Sequence, residues 1–239
     1  MIVDGATGHA MRSLRLLLEA YAGCELPQWD LFASNVRVVR VEPGAVLFSA
    51  GEHNPYIYFV QRGLFRAQMF SEGRLTTVFF PEEGDVLASM SALGVDGVRR
   101  VASRGLHPRS ETLRAAVEAE TVHTVTAIEP SLLLRVNYRV IDHLSTQHLQ
   151  WARLITTIAL MHATTLQADA GWLRATPEQR YRSLLREHPG LVQRVTQRDL
   201  ASFLNITDVA LSRIAKRVRG ESLQADDGSG ISVTAGAQG

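Results

Sequence analysis

Between residues 36 and 88 the apolar positions come in short runs. Val36, Val38, Val41, Val46-Leu47-Phe48, Ile57-Tyr58-Phe59-Val60, Leu64-Phe65 and Val78-Phe79-Phe80 are separated by Pro43-Gly44, Gly51-Glu52, Gly63, Glu72-Gly73 and Glu83-Gly84-Asp85. β-Branched and aromatic residues in runs of this length, punctuated about every ten residues by turn formers, predict an antiparallel β-sandwich or jelly roll. Strand composition resumes over residues 121–136, around Glu129-Pro130. Between these stretches, Val98-Arg99-Arg100 to Arg109 is polar and basic, contains Gly105 and Pro108, and predicts an exposed loop.

Elsewhere the period is helical. Leu14, Leu17, Leu18 and Tyr21 predict a short amphipathic helix over residues 10–22. Residues 137–170 contain neither Gly nor Pro and predict one long helix. Leu144, Trp151, Ile155, Ile158 and Thr165 lie along a seven-residue seam with His148 and His162. Such a helix, about 50 Å long, would outreach a small sandwich, and a second copy is the simplest partner for its seam. The plainer alternative is that it packs wholly on its own domain. Gly171 marks a hinge, and Thr176-Pro177-Glu178 starts a helix over 177–188, with Thr as cap and Pro in the first turn.

The most specific stretch runs from Thr196 to Val218. Thr196 can cap a helix with Asp199 at the acidic place of a capping box, and Leu200, Phe203 and Leu204 share a face. Small Ala201 suits a close helix crossing, and Asn205 stands where a left-handed residue should end the helix. Ile206 can plug the gap between the helices. Thr207 caps a second helix whose buried face is Leu211, Ile214 and Val218, leaving Asp208, Ser212, Arg213, Lys216 and Arg217 outside. This is the pattern of a DNA-reading helix-turn-helix. A helix pair with a merely solvated charged face is the plain alternative. Beyond it, Leu223 and Ile231-Ser232-Val233 could pair as a small β-wing, or the Gly-, Ser- and Asp-rich tail could be disordered.

Charge sharpens the picture. The chain of 239 residues has a formal net charge of +1, yet residues 171–220 carry ten Lys or Arg against four acids. A basic segment on a slightly acidic body suits a polyanion at one end only. Cys24 is the sole cysteine, which excludes disulfide frameworks and cysteine-bound metal clusters within one chain and suits a reduced cytoplasm. It is expected to be a small packed side chain. No signal-peptide pattern opens the chain and no stretch is apolar enough to span a membrane, so a cytoplasmic location is expected.

The order of sandwich, long helix and helix-turn-helix resembles the Crp–Fnr family of bacterial transcription regulators, over roughly residues 25–220. The residues that carry the resemblance are Pro43-Gly44-Ala45-Val46-Leu47-Phe48, Gly51-Glu52, Ile57 to Gly63, Gly73, Gly84-Asp85, and Arg180-Tyr181 through Pro189 followed by Val195 to Arg217. The resemblance implies an α+β fold in three parts. Residues 1–136 would be a cyclic-nucleotide-binding-like sandwich, 137–170 a dimerisation helix, and 171–239 a winged helix-turn-helix domain. It also implies a homodimer on double-stranded DNA, with RNA polymerase as a partner at promoters. Arg213 falls where the family keeps its base-reading Arg. Thr196, Gln197, Thr207 and Ser212 suit phosphate contacts, and Lys216 and Arg217 add charge. Asp208-Val209 stands where well-known members have Arg-Glu, so the preferred DNA sequence should differ.

The sensor departs further. A Ser, Ser89, stands where the ribose-binding carboxylate belongs. Arg109-Ser110 could supply the phosphate-binding pair, but only after an overlong loop. A second alignment keeps the usual distance to the long helix, sets Thr124 to Ser131 on the following strand, and leaves Thr121-Val122 at the phosphate position without positive charge. Cyclic AMP binding in the usual manner is therefore expected to be weak or absent. Ser89, Arg109, Ser110, Thr164 and Thr165 are the effector candidates. No cofactor is expected. Haem or a metal through His148 and His162 of two paired helices is a minor alternative, and His107 and His123 have no motif to support a ligand role. No nucleophile–base pair, phosphate-cradling Gly loop or metal-ligand motif is present, so an enzyme is not expected. The other reading kept open is a ligand-sensing or protein-interaction module that does not act on DNA.

Overall fold

The computed structural model describes residues 5–71, 73–89, 96–111, 114 and 121–228. The chain divides into two compact units, Met1–Asp169 and Ala170–Gly239.

The first unit holds two antiparallel sheets. β1 (Arg37–Val41), β8 (Ser131–Asn137), β3 (Tyr56–Arg62) and β6 (Val86–Ala88) form one, in the order β1-β8-β3-β6. β2 (Val46–Phe48), β7 (Thr124–Ala127), β4 (Phe65–Ser71) and β5 (Arg74–Phe79) form the other, in the order β2-β7-β4-β5. The expected jelly roll is thus present. Alternation decides its layers, because successive side chains on a strand point to opposite faces. Leu133, Val60 and Tyr58 turn inward with Phe65, Ala67, Val125 and Phe48 of the second sheet to make the core between the sheets. Leu134, Val136, Ile57 and Phe59 turn the other way, toward helices.

Those helices are α1 (Gly5–Ala22), α2 (Trp29–Asn35), α4 (Tyr138–Gln147) and α5 (Leu149–Arg174), with α3 (Asp96–Ser103) inserted after β6. Leu14 and Leu18 of α1, Phe32 of α2, Leu144 of α4 and Trp151 of α5 are all at most 1% exposed. The Trp151 ring lies 5.0 Å from Phe32, and its indole Nε1 donates to the Pro27 carbonyl at 2.9 Å. Cys24 is half-buried beside this core.

Three expectations are corrected here. The stretch 98–109 is not wholly loop, since α3 covers its first part. Arg is a good helix former, and no Gly or Pro follows Gly97 until Gly105, whose φ of 64° ends the helix in a left-handed turn. The long helix is broken at His148, which has extended backbone (φ −133°, ψ 118°) between α4 and α5. No Gly or Pro marks the break. It lies between two anchors, Leu144 and Trp151, both fully buried in the unit's own core rather than on an open seam. Leu223 belongs to a helix, α9 (Asp208–Gly228), not to a wing strand. Ile231-Ser232-Val233 lie outside the described residues.

The second unit contains α6 (Pro177–Glu187), α7 (Pro189–Arg194), α8 (Gln197–Phe203) and α9. α2 and α7, seven and six residues long, have no counterpart in the expectations. Both are too short to show a helical period.

Gly63, between β3 and β4, has φ 113°, and its N–H donates to Glu83 Oε1 at 2.7 Å. A Cβ there would collide with the Ser131 side chain, whereas one on Gly44 (φ 83°) would meet nothing within 4 Å. Gly63→Ala should therefore lower the thermal midpoint clearly more than Gly44→Ala, which carries only the backbone strain of about 1–3 kcal/mol. Equal losses in differential scanning calorimetry would contradict the close approach.

Candidate nucleic-acid interface

The second unit is built on caps. Thr176 Oγ1 accepts from the Gln179 N–H at 3.3 Å, and Gln179 Oε1 accepts from the Thr176 N–H at 2.9 Å, closing a capping box on α6. Thr196 Oγ1 accepts from the Asp199 N–H at 3.1 Å and donates to Asp199 Oδ2 at 2.7 Å, starting α8. Asn205 takes φ 54° and turns the chain out of α8. Thr207 Oγ1 accepts from the Ala210 N–H at 3.2 Å and starts α9. The first cap, the turn and the second cap thus stand where the residue types predicted them.

Between the helices, Leu200, Ala201, Leu204, Leu211, Ile214 and Val218 are buried with Tyr181, Leu184 and Leu191. Phe203 is half-buried, its ring 4.9 Å from that of Trp172. The Arg180 guanidinium lies 5.3 Å over the same Trp172 ring, which accounts for a buried cation whose Nε has no hydrogen-bond partner.

Burying one side of α9 leaves Asp208, Val209, Ser212, Arg213, Lys216 and Arg217 exposed. Arg213, Lys216 and Ser212 make no side-chain hydrogen bond or ion pair among the described residues, so their donors are available to a ligand. Arg217 is different: it pairs with Glu178 of α6 at 2.9 Å. Glu178 also binds Arg182 at 2.9 Å, and Arg182 in turn binds Glu221. Those two carboxylates, Glu178 first, hold Arg182 above the usual guanidinium range. The Thr196 and Thr207 hydroxyls are engaged in capping, and Gln197 Nε2 donates to the Asp208 carbonyl at 3.4 Å.

Two features escaped the sequence reading. Val209, 61% exposed, shares the open face with Arg213 four residues on, and that i, i+4 spacing was the available signal. Glu178 reaches Arg217 from a different helix, so no local pattern could reveal it.

The effector candidates are not gathered in the same way. Ser89 is buried, and its hydroxyl donates to the Asn54 carbonyl at 2.8 Å. Arg109 and Ser110 stand beyond α3, where the Arg109 N–H donates to His107 Nδ1 at 3.0 Å and the Ser110 hydroxyl binds the His107 backbone. Thr164 and Thr165 are exposed on α5, their hydroxyls donating to the carbonyls of Leu160 and Met161. Thr121 is buried, its hydroxyl donating to the Glu52 carbonyl at 2.7 Å. The second alignment sets Thr124 to Ser131 on one strand; the structure gives β7 over Thr124–Ala127 only, with Ser131 opening β8, while residues 112–113 and 115–120 lie outside the described residues.

The histidines are likewise scattered. His148 is half-buried at the helix break and His162 is exposed, about 20 Å further along at the helical rise. His123 packs edge-on to Phe79 at 5.3 Å, and burial pushes its pKa below the usual histidine value. Among the described residues no group of three His, Cys, Asp or Glu side chains could hold a metal ion, and no helix is long and apolar enough to cross a membrane.

A jelly roll followed by helices and a helix-turn-helix is the fold of the Crp–Fnr regulators, and this chain has that fold. It is similar to FixK2 from Bradyrhizobium japonicum, with TM-score 0.60 and 17% identity over 78% of this chain and 86% of that one. It is similar to CLP, the c-di-GMP responsive global regulator of Xanthomonas campestris, with TM-score 0.55 and 14% identity over 81% and 91%. A variant of CooA from Carboxydothermus hydrogenoformans matches with TM-score 0.53 and 15% identity over 86% and 84%. No protein-family model and no curated protein matches the sequence.

Asn205 tests the turn. Replacing it by Ala should destabilise the chain by about 1–2 kcal/mol, because a Cβ-bearing residue without a short polar group resists the left-handed region. Asn205→Gly should lose less. Urea denaturation followed by circular dichroism reads both, and an Ala variant as stable as wild type would show that the turn does not constrain α8 and α9.

Proposed function

We propose that this protein is a sequence-specific DNA-binding transcription regulator that acts as a homodimer. The observation that carries the reading is the open face of α9, where Arg213, Lys216 and Ser212 have no internal partner among the described residues, on a helix whose other side is buried. A guanidinium at Arg213 can donate two parallel hydrogen bonds to guanine O6 and N7. Val209 beside it can touch a thymine methyl group. Ser212 and Lys216, with Thr196, Gln197 and Thr207 nearby, suit phosphate oxygens, which position the protein without reading sequence. Asp208 favours the helix start but repels phosphate, so the preferred site should differ from that of relatives with an Arg there.

Dimerisation is supported by α5, where Ile155, Leu160 and Met161 are 41%, 64% and 47% exposed beyond the anchored Trp151. A second copy packed along α5 would cover these apolar side chains and bring two reading helices to half-sites about one helical turn apart. In this reading residues 1–136 sense, 137–170 join the copies and 171–239 read DNA. A signal acts by shifting how the copies pair, with RNA polymerase the downstream partner and the cytoplasm the setting. The similarity to CLP, a global regulator responsive to c-di-GMP, supports a regulatory role. No catalytic step and no haem or metal enters the proposal.

The second reading, a sensing or interaction module of the same fold that leaves DNA alone, draws on Arg217, whose charge is engaged by Glu178. Titration of duplexes from a binding-site selection, at two salt concentrations, separates the two. Regulation through DNA requires a steep loss of affinity with salt together with sequence preference. Flat, weak binding to every duplex favours the module.

Arg213→Ala should weaken the selected site by about 1–3 kcal/mol and relax preference at one base, while Lys216→Ala should weaken all duplexes alike and lower the salt slope by about 1. Equal weakening by both variants on all sequences would remove Arg213 from base reading.

Glu178→Gln should release Arg217 and tighten binding to every duplex, with a steeper salt slope. Unchanged affinity in fluorescence anisotropy would place Arg217 outside the interface.

A further inference from the structure

Arg37 of β1, Arg135 of β8 and Tyr58 of β3 stand in one cross-strand row, Arg37 opposite Arg135 and Arg135 opposite Tyr58. Tyr58 belongs to the core between the sheets, so Tyr58 and Arg135 face the interior of the sandwich, while Arg37 at the end of the row is exposed. Two like charges directly opposite each other on neighbouring strands oppose sheet formation unless something offsets them. No carboxylate pairs with either arginine among the described residues. Arg37 Nη1 donates to the carbonyls of Ser34 and Val36 at 2.7 and 2.9 Å. The Arg135 guanidinium lies 4.5 Å over the Tyr56 ring, and its charge acts on the nearby Tyr58 hydroxyl. Burial, the largest influence, pushes the Tyr58 hydroxyl above its usual pKa, so it stays neutral and supplies no counter-charge.

Asn54 completes the cluster. It is 4% exposed, its Oδ1 accepts from the Tyr58 hydroxyl at 3.3 Å, and its carbonyl accepts from Ser89. Two buried donors here have no acceptor among the described residues: Arg135 Nε and Asn54 Nδ2. Both are N–H groups, so what would satisfy them is an acceptor, and the neighbouring charges favour a negative one.

We propose that this end of the sandwich interior binds a small organic oxyanion between Arg135 and Asn54, with the Tyr56 ring as a wall and the exposed Arg37 at the rim. The oxyanion answers both orphaned donors and offsets the positive charge of the row. Ser89 contributes by holding the Asn54 backbone, a role different from the ribose contact expected at its position. The site does not depend on the DNA reading.

The test is thermal unfolding of the full chain at fixed ionic strength with sodium benzoate, with cyclic AMP and with neutral benzamide. At probe concentrations well above the dissociation constant, an anion should raise the wild-type midpoint by roughly 3 °C and benzamide should not. A response to benzoate alone identifies a carboxylate, and a response to cyclic AMP alone identifies a phosphodiester. Arg135→Gln should abolish the response. Asn54→Asp keeps the Tyr58 bond and builds a carboxylate into the site, so it should raise the midpoint without any probe and also abolish the response. No rise with either anion, an equal rise with benzamide, or a rise that survives Arg135→Gln overturns the proposal. Should Arg135→Gln not fold, an Asn54→Asp midpoint below wild type overturns it instead.

Discussion

Strand β8 is paired on both edges and buried on both faces, and the first unit is organised around that constraint. It bonds β1 and β3 in register, so its alternate side chains are committed to opposite layers. Leu134 and Val136 go to the helical layer with Phe32 and Trp151, and Leu133 goes between the sheets with Phe65 and Val125. A slip of one residue would put Arg135 among the helices and Leu134 beside Tyr58. The register thus delivers a cation to the sandwich interior as surely as it delivers leucines to the two cores.

In the second unit a period of 3.6 does what the period of 2 does in the first. Leu211, Ile214 and Val218 must face α8 and α6, and Arg213 and Lys216 are then turned outward. The left-handed Asn205 sets where the second helix begins. Charge is distributed by tertiary contact, however. Arg217 meets Glu178 while Arg213 meets no acid among the described residues, although the two arginines look alike along the chain.

Legibility followed the range of the interaction. The strands of the sandwich, the Thr176, Thr196 and Thr207 caps, the Asn205 turn and the buried face of α9 were all readable, because each rests on residues within a turn or a few positions of one another. The arginines of α3, followed by Gly105 and Pro108, predict an exposed loop, and exposure does not exclude a helix. The break at His148 was invisible because neither Gly nor Pro marks it. Leu144 and Trp151, whose spacing predicts a seam between copies, are consumed by the chain's own core. Of the effector candidates, Ser89 lies in a buried polar cluster, but nothing in the sequence points to Arg135, the cation at that end of the sandwich. Strand composition alone says nothing about which arginines a register sets side by side.

Local chemistry along the chain was enough to specify a jelly roll, a pair of capped helices around a left-handed turn, and a basic outer face on the second of them. Distant contacts settled the matters that local chemistry left open. These were where the long helical stretch breaks, which arginine is neutralised by Glu178, and which polar side chains meet inside the sandwich. The division has a physical basis: caps, turns and periodicity are energies of neighbouring residues, whereas pairing of charges and satisfaction of buried donors depend on groups that only strand register and helix packing bring together.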